Sequence, residues 1–242
     1  MNAQRVLDAL RSGGPLRVTE LMATTGLSRP TVDAVADDLA RLGWIEEVAG
    51  EGGGRGRPAR SLAFRASAGY VFGVDIGEVK VRTAVADLRG SVVAERVREF
   101  AGADRLPVIR KTIGATLGDA GITRGELFSS CVGCTGAMDT PRGRVLFSSI
   151  FEDDYDLAGS MARSLGRPVV IENDCNLAVI AERWCGAAVG LDDVVCVLAG
   201  ERIGAGIMVG GVLMLAAMVV VETGPRHAHD PPHQDEVPKL SG

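Results

Sequence analysis

Aromatic side chains are scarce in this 242-residue chain, at 4% of positions. A core of any size therefore has to be built mainly from Ala, Val and Leu. Positive charge is not in excess either. Lys and Arg number 26 against 31 Asp and Glu, for a net charge of −5. No global cationic field draws the molecule to nucleic acid or to a membrane. The opening residues Met1-Asn2-Ala3-Gln4-Arg5 are not followed by an apolar h-region, so no secretory leader is expected. Five cysteines in a chain of this length point to a reducing cytosol and a cytoplasmic protein. Long apolar runs are missing as well. The stretch Ile203 to Val221 holds 19 uncharged residues, but Gly204, Gly206, Gly210 and Gly211 interrupt it. A spanning helix needs about 20 mostly apolar residues, so buried strands are the expected reading there and no membrane contact is expected.

What remains is the balance of an ordinary soluble globular protein, 46% apolar and 24% charged. It excludes a wholly disordered chain, a collagen-like chain and a coiled-coil rod. The charge is unevenly spread. Residues 1–69 carry nine arginines and eight carboxylates, whereas residues 70–242 carry 17 basic and 23 acidic residues. A neutral-to-basic head on an acidic body suggests two parts with different partners.

In the head, Val6, Leu7 and Leu10 recur at helical spacing, and Gly13-Gly14-Pro15 ends that helix. Val18, Leu21 and Met22 begin a second short helix that stops at Gly26. Ser28 is placed to cap a third helix, with Pro30 tolerated in its first turn. Val32, Val35, Ala36, Leu39 and Leu42 mark that helix's apolar face. Two helices around a short glycine turn have the spacing of a helix-turn-helix, which sets the N-terminal end of its second helix into the major groove of DNA. Ser28, Arg29, Thr31 and Val32 stand at that end, with Asp33 close by. Asp33 suits either a cytosine amino group or repulsion of phosphate. Trp44 to Val48 and Ser61 to Phe64 read as two strands around a Gly/Arg-rich loop, a wing. Arg55 and Arg57 on that loop suit phosphate or minor-groove contact. The alternative is a three-helix interaction module whose loop is a solvated tether. Helix spacing, turn glycine and basic wing together favour double-stranded DNA as the partner.

From residue 69 the pattern becomes α/β. Strands are expected at 70–76, 81–88, 91–100, 128–133 and 169–172, and helices at 104–119, 156–165 and 174–187. Leu177, Ile180 and Trp184 would form the last helix's apolar face. Strands at 194–198 and 203–209 follow. This order, with its glycine turns, suggests a nucleotide-binding lobe. The first of these strands runs out into Asp75-Ile76-Gly77-Glu78-Val79-Lys80.

These residues resemble the ROK group (repressors, open reading frames and sugar kinases), over residues 1–211. The resemblance implies an N-terminal winged helix followed by an actin-like ATPase domain. Asp75, Gly77 and Lys80 match the family's first phosphate motif, Asp-x-Gly-Gly-Thr-Lys, but Glu78 replaces its second glycine. At about 4 Å two like charges repel by roughly 1 kcal/mol in water and more in a partly dry site, which argues against tight ATP binding. Gly133 to Asp139, with Gly136, resembles the family's sugar-side Gly-x-Pro-Gly-x-x-Asp turn, and Ile150 stands where the family holds a sugar with Asn. Glu172-Asn173-Asp174 resembles the sugar motif, which makes Asn173 and Asp174 sugar-contact candidates. Asp174 corresponds to the kinases' general base. Helix capping alone and capping with sugar contact both fit it. Gly204 and Gly206 match the second phosphate motif, in which Glu201 and Arg202 depart from the pattern. With both loops altered, the base is expected to be vestigial, with no catalytic residue and no enzyme activity.

The family's Glu-x-Gly-His motif and zinc cluster are not found. Cys131 and Cys134 form a lone pair without a second, so no metal and no cofactor are expected. Cys175, Cys185 and Cys196 read as small core residues. Residues 222–242 hold four of the ten prolines and all three histidines, His227, His229 and His233, without periodicity. The expected organisation is a winged helix over 1–66, a partial ROK domain over 69–211 and a divergent, disordered tail over 212–242. That pattern suggests a truncated or frame-shifted regulator, with open strand edges in an incomplete second lobe. The leading reading is a repressor of carbohydrate genes, dimeric on a two-fold operator and answering to a sugar or sugar phosphate. A sugar kinase or sugar-binding protein, and an inert remnant, are the other two readings.

Overall fold

The computed structural model describes residues 1–49, 60–199, 202–214 and 221–222. The chain divides into two compact units, Met1–Asn173 and Asp174–Gly242.

The first unit opens with three helices, α1 (Asn2–Gly13), α2 (Val18–Thr25) and α3 (Arg29–Arg41). Strands β1 (Ile45–Ala49) and β2 (Arg60–Phe64) then pair antiparallel, with Ile45 opposite Phe64. Leu16 exchanges both backbone hydrogen bonds with Leu62, at 2.9 and 2.8 Å, which adds a third short rung. Val6 and Leu10 of α1, Leu21 of α2, and Val32, Ala36 and Leu39 of α3 close one core with Ile45, Leu62 and Phe64. The three- and four-residue spacing read from the sequence is the spacing of this buried stripe.

A larger sheet follows. Its strands are β3 (Tyr70–Ile76), β4 (Lys80–Asp87), β5 (Val92–Glu99), β6 (Leu127–Cys134) and, later in the chain, β9 (Val170–Asn173). The order across the sheet is β5-β4-β3-β6-β9. β4 runs antiparallel to both β3 and β5, whereas β6 lies parallel to β3 and to β9. Alternation decides the faces: Phe72, Val74 and Ile76 of β3 and Val81 and Val85 of β4 point inward. Helices α4 (Arg105–Ala120) and α5 (Leu157–Leu165) supply the other half of that core through Ile109, Ile113 and Leu117, and through Leu157, Met161 and Leu165. Thr83 and Thr116 are both fully buried and satisfy each other across β4 and α4 at 2.6 Å. The hairpin β7 (Ala137–Asp139) and β8 (Arg144–Phe147) lies outside this sheet. Its strands are too short for alternation to register in the sequence.

The winged part is joined to the sheet by several contacts. Trp44 meets Phe128 edge-to-face, centroids 5.8 Å apart. Leu88 donates its backbone N–H to Ala66 at 3.1 Å and packs against the helical core. Arg89 lies over the Phe64 ring at 5.8 Å.

The second unit holds α6 (Asp174–Cys185) and the strands β10 (Val194–Ala199), β11 (Arg202–Val209), β12 (Val212–Met214) and β13 (Val221–Glu222). The sheet order is β10-β11-β12, with β13 also on β11. Its pairing therefore continues past residue 211, where sequence periodicity ends: Val212–Met214 and Val221–Glu222 both add to β11. The apolar face expected for α6 is corrected. Cys175 and Val179 are buried, while Ile180 is 40% and Trp184 60% exposed. The reason is the pair Gly204 and Gly206. A Cβ on Gly206 would meet the Cys175 carbonyl oxygen at 2.1 Å, and one on Gly204 the Cys175 sulfur at 2.5 Å. Their bare backbone lets α6 settle on β11 along its Cys175–Val179 edge. Cys185, expected in a core, is exposed.

Gly206→Ala is expected to cost about 1–3 kcal/mol, the scale of overpacking in a tight core. A urea melt of the full chain measures it, and a loss below 0.5 kcal/mol (about the scatter of surface changes) contradicts the close approach.

Candidate nucleic-acid interface

Gly26 ends α2 in the left-handed region, φ 68°, and donates its N–H to Met22 at 2.9 Å. Two residues later Ser28 enters α3 in an extended conformation, and Pro30 occupies the first turn. Ser28 stands at the capping position without a side-chain capping bond. Its hydroxyl pairs with that of Thr31 at 2.8 Å. Ser28 and Arg29 are exposed and Thr31 is half-buried. Arg29 reaches Asp33 at 3.7 Å, an exposed i,i+4 pair of the kind worth little in water. The tip of α3 therefore presents two hydroxyls and a guanidinium that nothing holds tightly.

Val32 is a correction. It is fully buried among the helices, so its side chain serves the core and cannot meet a base. Sequence reading assigned it both to the apolar stripe and to the tip, and packing gave it to the stripe. The exposed residues that follow on α3 are Asp33, Ala34, Asp37, Asp38, Ala40 and Arg41. Ala34 was missed. It lies on the open face with Pro30, and a small apolar side chain there suits a thymine methyl. Arg41 closes onto Asp38. Arg55 and Arg57 lie outside the described residues, and β1 and β2 are the strands that lead to them.

The other sequence candidates fall in different places. Asp75 is the last residue but one of β3, and Gly77 donates to the Lys80 carbonyl at 3.0 Å to close the β3–β4 turn. Glu78 sits in that turn, and its carbonyl accepts from Arg105 at 3.3 Å. Asn173 and Gly136 are brought together. The buried Asn173 amide donates to the Gly136 carbonyl at 2.8 Å. Gly136 has φ 132°, and a Cβ there would meet the Phe147 carbonyl oxygen at 2.2 Å. Ser148 ties the same turn by donating to the Thr135 carbonyl at 2.6 Å. Ile150, at the family's Asn position, is buried in the core. Beside it opens a cleft of about 310 Å³ lined by Arg105, Glu152, and the stacked rings of Phe151 and Tyr155, 4.9 Å apart.

In the second unit, Asp174 begins α6, and its carboxylate accepts from the Cys175 N–H at 2.9 Å. Burial, and then the Asp174 charge, push the Cys175 thiol up to about 12, so it holds no thiolate at neutral pH. In the first unit, burial and the Glu172 charge raise Cys131 likewise. Gly204 and Gly206 are packed beneath α6, while Gly200 and Glu201 lie outside the described residues. So do His227, His229 and His233. Among the described residues no three metal-ligating side chains gather, and no helix is long and apolar enough to cross a membrane.

Comparison with known proteins agrees with this architecture. Residues 71–230 match the ROK family, and residues 3–56 match the MarR family. The DNA-binding transcriptional repressor Mlc of Escherichia coli is 28% identical over 229 residues, 91% of this chain and 55% of Mlc. The xylose repressor of Bacillus subtilis is 26% identical over 215 residues, 86% of this chain and 55% of that protein. The chain thus spans about 55% of the length of these curated relatives. A crystal structure of a ROK family transcriptional regulator, a homolog of the E. coli MLC protein, superposes with a TM-score of 0.69. It covers 94% of this chain and 60% of that one, at 20% identity, a likeness that shows the fold.

Core and surface roles on α3 separate by stability. Val32→Ala is expected to destabilise the chain by about 1.5–3 kcal/mol through lost burial, and Arg29→Ala by less than about 0.5 kcal/mol. Chemical denaturation of both variants checks the ranking, and equal losses would refute it.

Proposed function

The chain belongs to the ROK family, and from that premise we propose that it is a DNA-binding transcriptional regulator, a repressor of carbohydrate genes. The observation that carries the reading is the α2–Gly26–α3 corner with its β1–β2 wing, ahead of a ROK domain in one chain. The likeness to a protein named as a DNA-binding transcriptional repressor supports it. Ser28, Arg29 and Thr31 read base edges from the tip of α3. The weak Arg29–Asp33 pair opens when guanine offers two acceptors to the guanidinium. Arg55 and Arg57 of the wing hold phosphate or the minor groove.

The ROK part acts as a regulatory body without kinase chemistry. Glu78 brings a carboxylate into the first phosphate turn, and Glu201 and Arg202 alter the second. Gly204 and Gly206 of the second motif have a packing role beneath α6. The winged helix covers residues 1–66 and the ROK part begins at residue 69, with the family match running over residues 71–230. A sugar or sugar phosphate is the effector, with Gly136, Asn173 and Asp174 as its contacts. The working form is a cytoplasmic homodimer on a two-fold operator.

Genomic footprinting with purified protein at stated salt tests the reading. Discrete protected sites are expected, and uniform coverage of random sequence would defeat it. On such a site Arg29→Ala is expected to weaken specific binding by about 1–3 kcal/mol with little change on random duplex. Arg55→Ala is expected to weaken both, and to reduce the slope of log K against log salt by about 0.9. Equal loss on specific and random DNA for both variants contradicts that division.

A further inference from the structure

Four arginines converge on one side of the first unit. Arg110 comes from α4, Arg124 from the 3-10 turn Arg124–Glu126, Arg163 from the last turn of α5, and Arg167 from the segment that follows α5. Arg110, Arg124 and Arg163, with Ser164, line a cleft of about 400 Å³. Backbone bonds fix two of the four. Arg124 donates through Nε to the Ser164 carbonyl at 2.8 Å. Arg167 donates to the Arg124 carbonyl at 3.1 Å and to the Gly125 carbonyl at 2.7 Å. Gly166 makes the reversal possible, with φ 69° just beyond α5.

Among the described residues, none of the four guanidiniums pairs with a carboxylate, whereas Arg29, Arg41, Arg96, Arg142, Arg144 and Arg183 all do. The nearby Glu126 carboxylate is spent on the N–H and hydroxyl of Thr123. Arg110 and Arg163 are exposed and donate no hydrogen bond within the described residues. In a chain of net charge −5 an unneutralised cluster runs against the general field. Like charges held together repel, and a bound anion reverses the sign of that energy. Planar guanidiniums with open forks match phosphate oxygens in pairs. A concave site of this volume suits a small molecule.

We propose that this cleft binds a compact phosphate-bearing anion, held by the forks of Arg110 and Arg163 beside the pre-positioned Arg124. The site is separate from the tip of α3 and from the Gly136–Asn173 turn, and it does not depend on the DNA-binding reading. Two sources share the chemistry, an inorganic phosphate and a phosphorylated metabolite.

Calorimetric titration of the full chain, in buffer free of phosphate, uses inorganic pyrophosphate, glucose 6-phosphate and glucose. Saturable binding of either phosphate is expected, with any glucose binding left unchanged by substitution of Arg110 or Arg163. Tighter binding of glucose 6-phosphate assigns a metabolite, and tighter binding of pyrophosphate an inorganic anion. Arg110→Ala and Arg163→Ala are each expected to weaken binding about tenfold or more, from loss of a charge-assisted bond. Arg110→Lys and Arg163→Lys, which keep charge but lose the fork, are expected to fall between. Neither arginine holds the fold together, so melting temperatures should stay level and report that the variants are intact. A wild-type chain that binds neither phosphate overturns the proposal, as do alanine variants that bind as tightly as wild type. So does loss of duplex DNA affinity in those variants when the wild type takes up neither small anion.

Discussion

The rotation of α3 about its own axis is the constraint on which the reading of this molecule depends. Val32, Ala36 and Leu39 are drawn against Val6, Leu10 and Leu21, and that burial leaves the helix one way to face. Once it is set, Ser28 and Arg29 stand outside, Thr31 lies at the boundary, and Val32 is withdrawn. No hydrogen bond or ion pair on the outer face could fix the same orientation. The pair Arg29–Asp33 is exposed and 3.7 Å long, too weak to decide a helix's attitude. A binding surface of loosely held polar groups is thus presented by a tightly held apolar one, and the two need not be traded against each other.

The same logic explains the altered phosphate loops. Loss of the family's phosphate chemistry would leave its glycines free to drift if phosphate were their one constraint. Gly204 and Gly206 have another, since α6 approaches β11 more closely than any side chain permits. Gly136 is held by its left-handed backbone and by the Phe147 carbonyl. Asn173 reinforces that turn by spending its amide on the Gly136 carbonyl. A sugar motif can therefore persist in outline as scaffold, which separates the likeness of sequence from the possession of an activity.

Charge tells a parallel story. Six described arginines, Arg29, Arg41, Arg96, Arg142, Arg144 and Arg183, are answered by carboxylates, two of them within α3. The cluster on α4 and α5 is unanswered, although its members lie up to 57 residues apart in the chain. No window of sequence displays it, because it exists only where two helix surfaces and a 3-10 turn meet.

Secondary structure was legible from the sequence to within a residue or two for the long elements. Tyr70–Ile76 is a continuous apolar run, and α5 carries Leu157, Met161 and Leu165 four residues apart. The helix-turn-helix was legible because Gly26, Ser28 and Pro30 punctuate it with residues whose backbone preferences are strong. The short hairpin β7–β8 and the strands after residue 211 were not, since a few residues carry no period. The buried face of α6 was misread, because periodicity found the Leu177–Ile180–Trp184 stripe, whereas the bare glycine backbone of β11 selected the Cys175–Val179 edge. By itself the sequence determined which segments become helix or strand and which family's chemistry they echo, because those follow from local spacing and backbone preference. Tertiary structure alone decided which side of each element is spent on packing, and hence whether Val32 or Trp184 meets solvent, because burial is settled by partners distant in the chain.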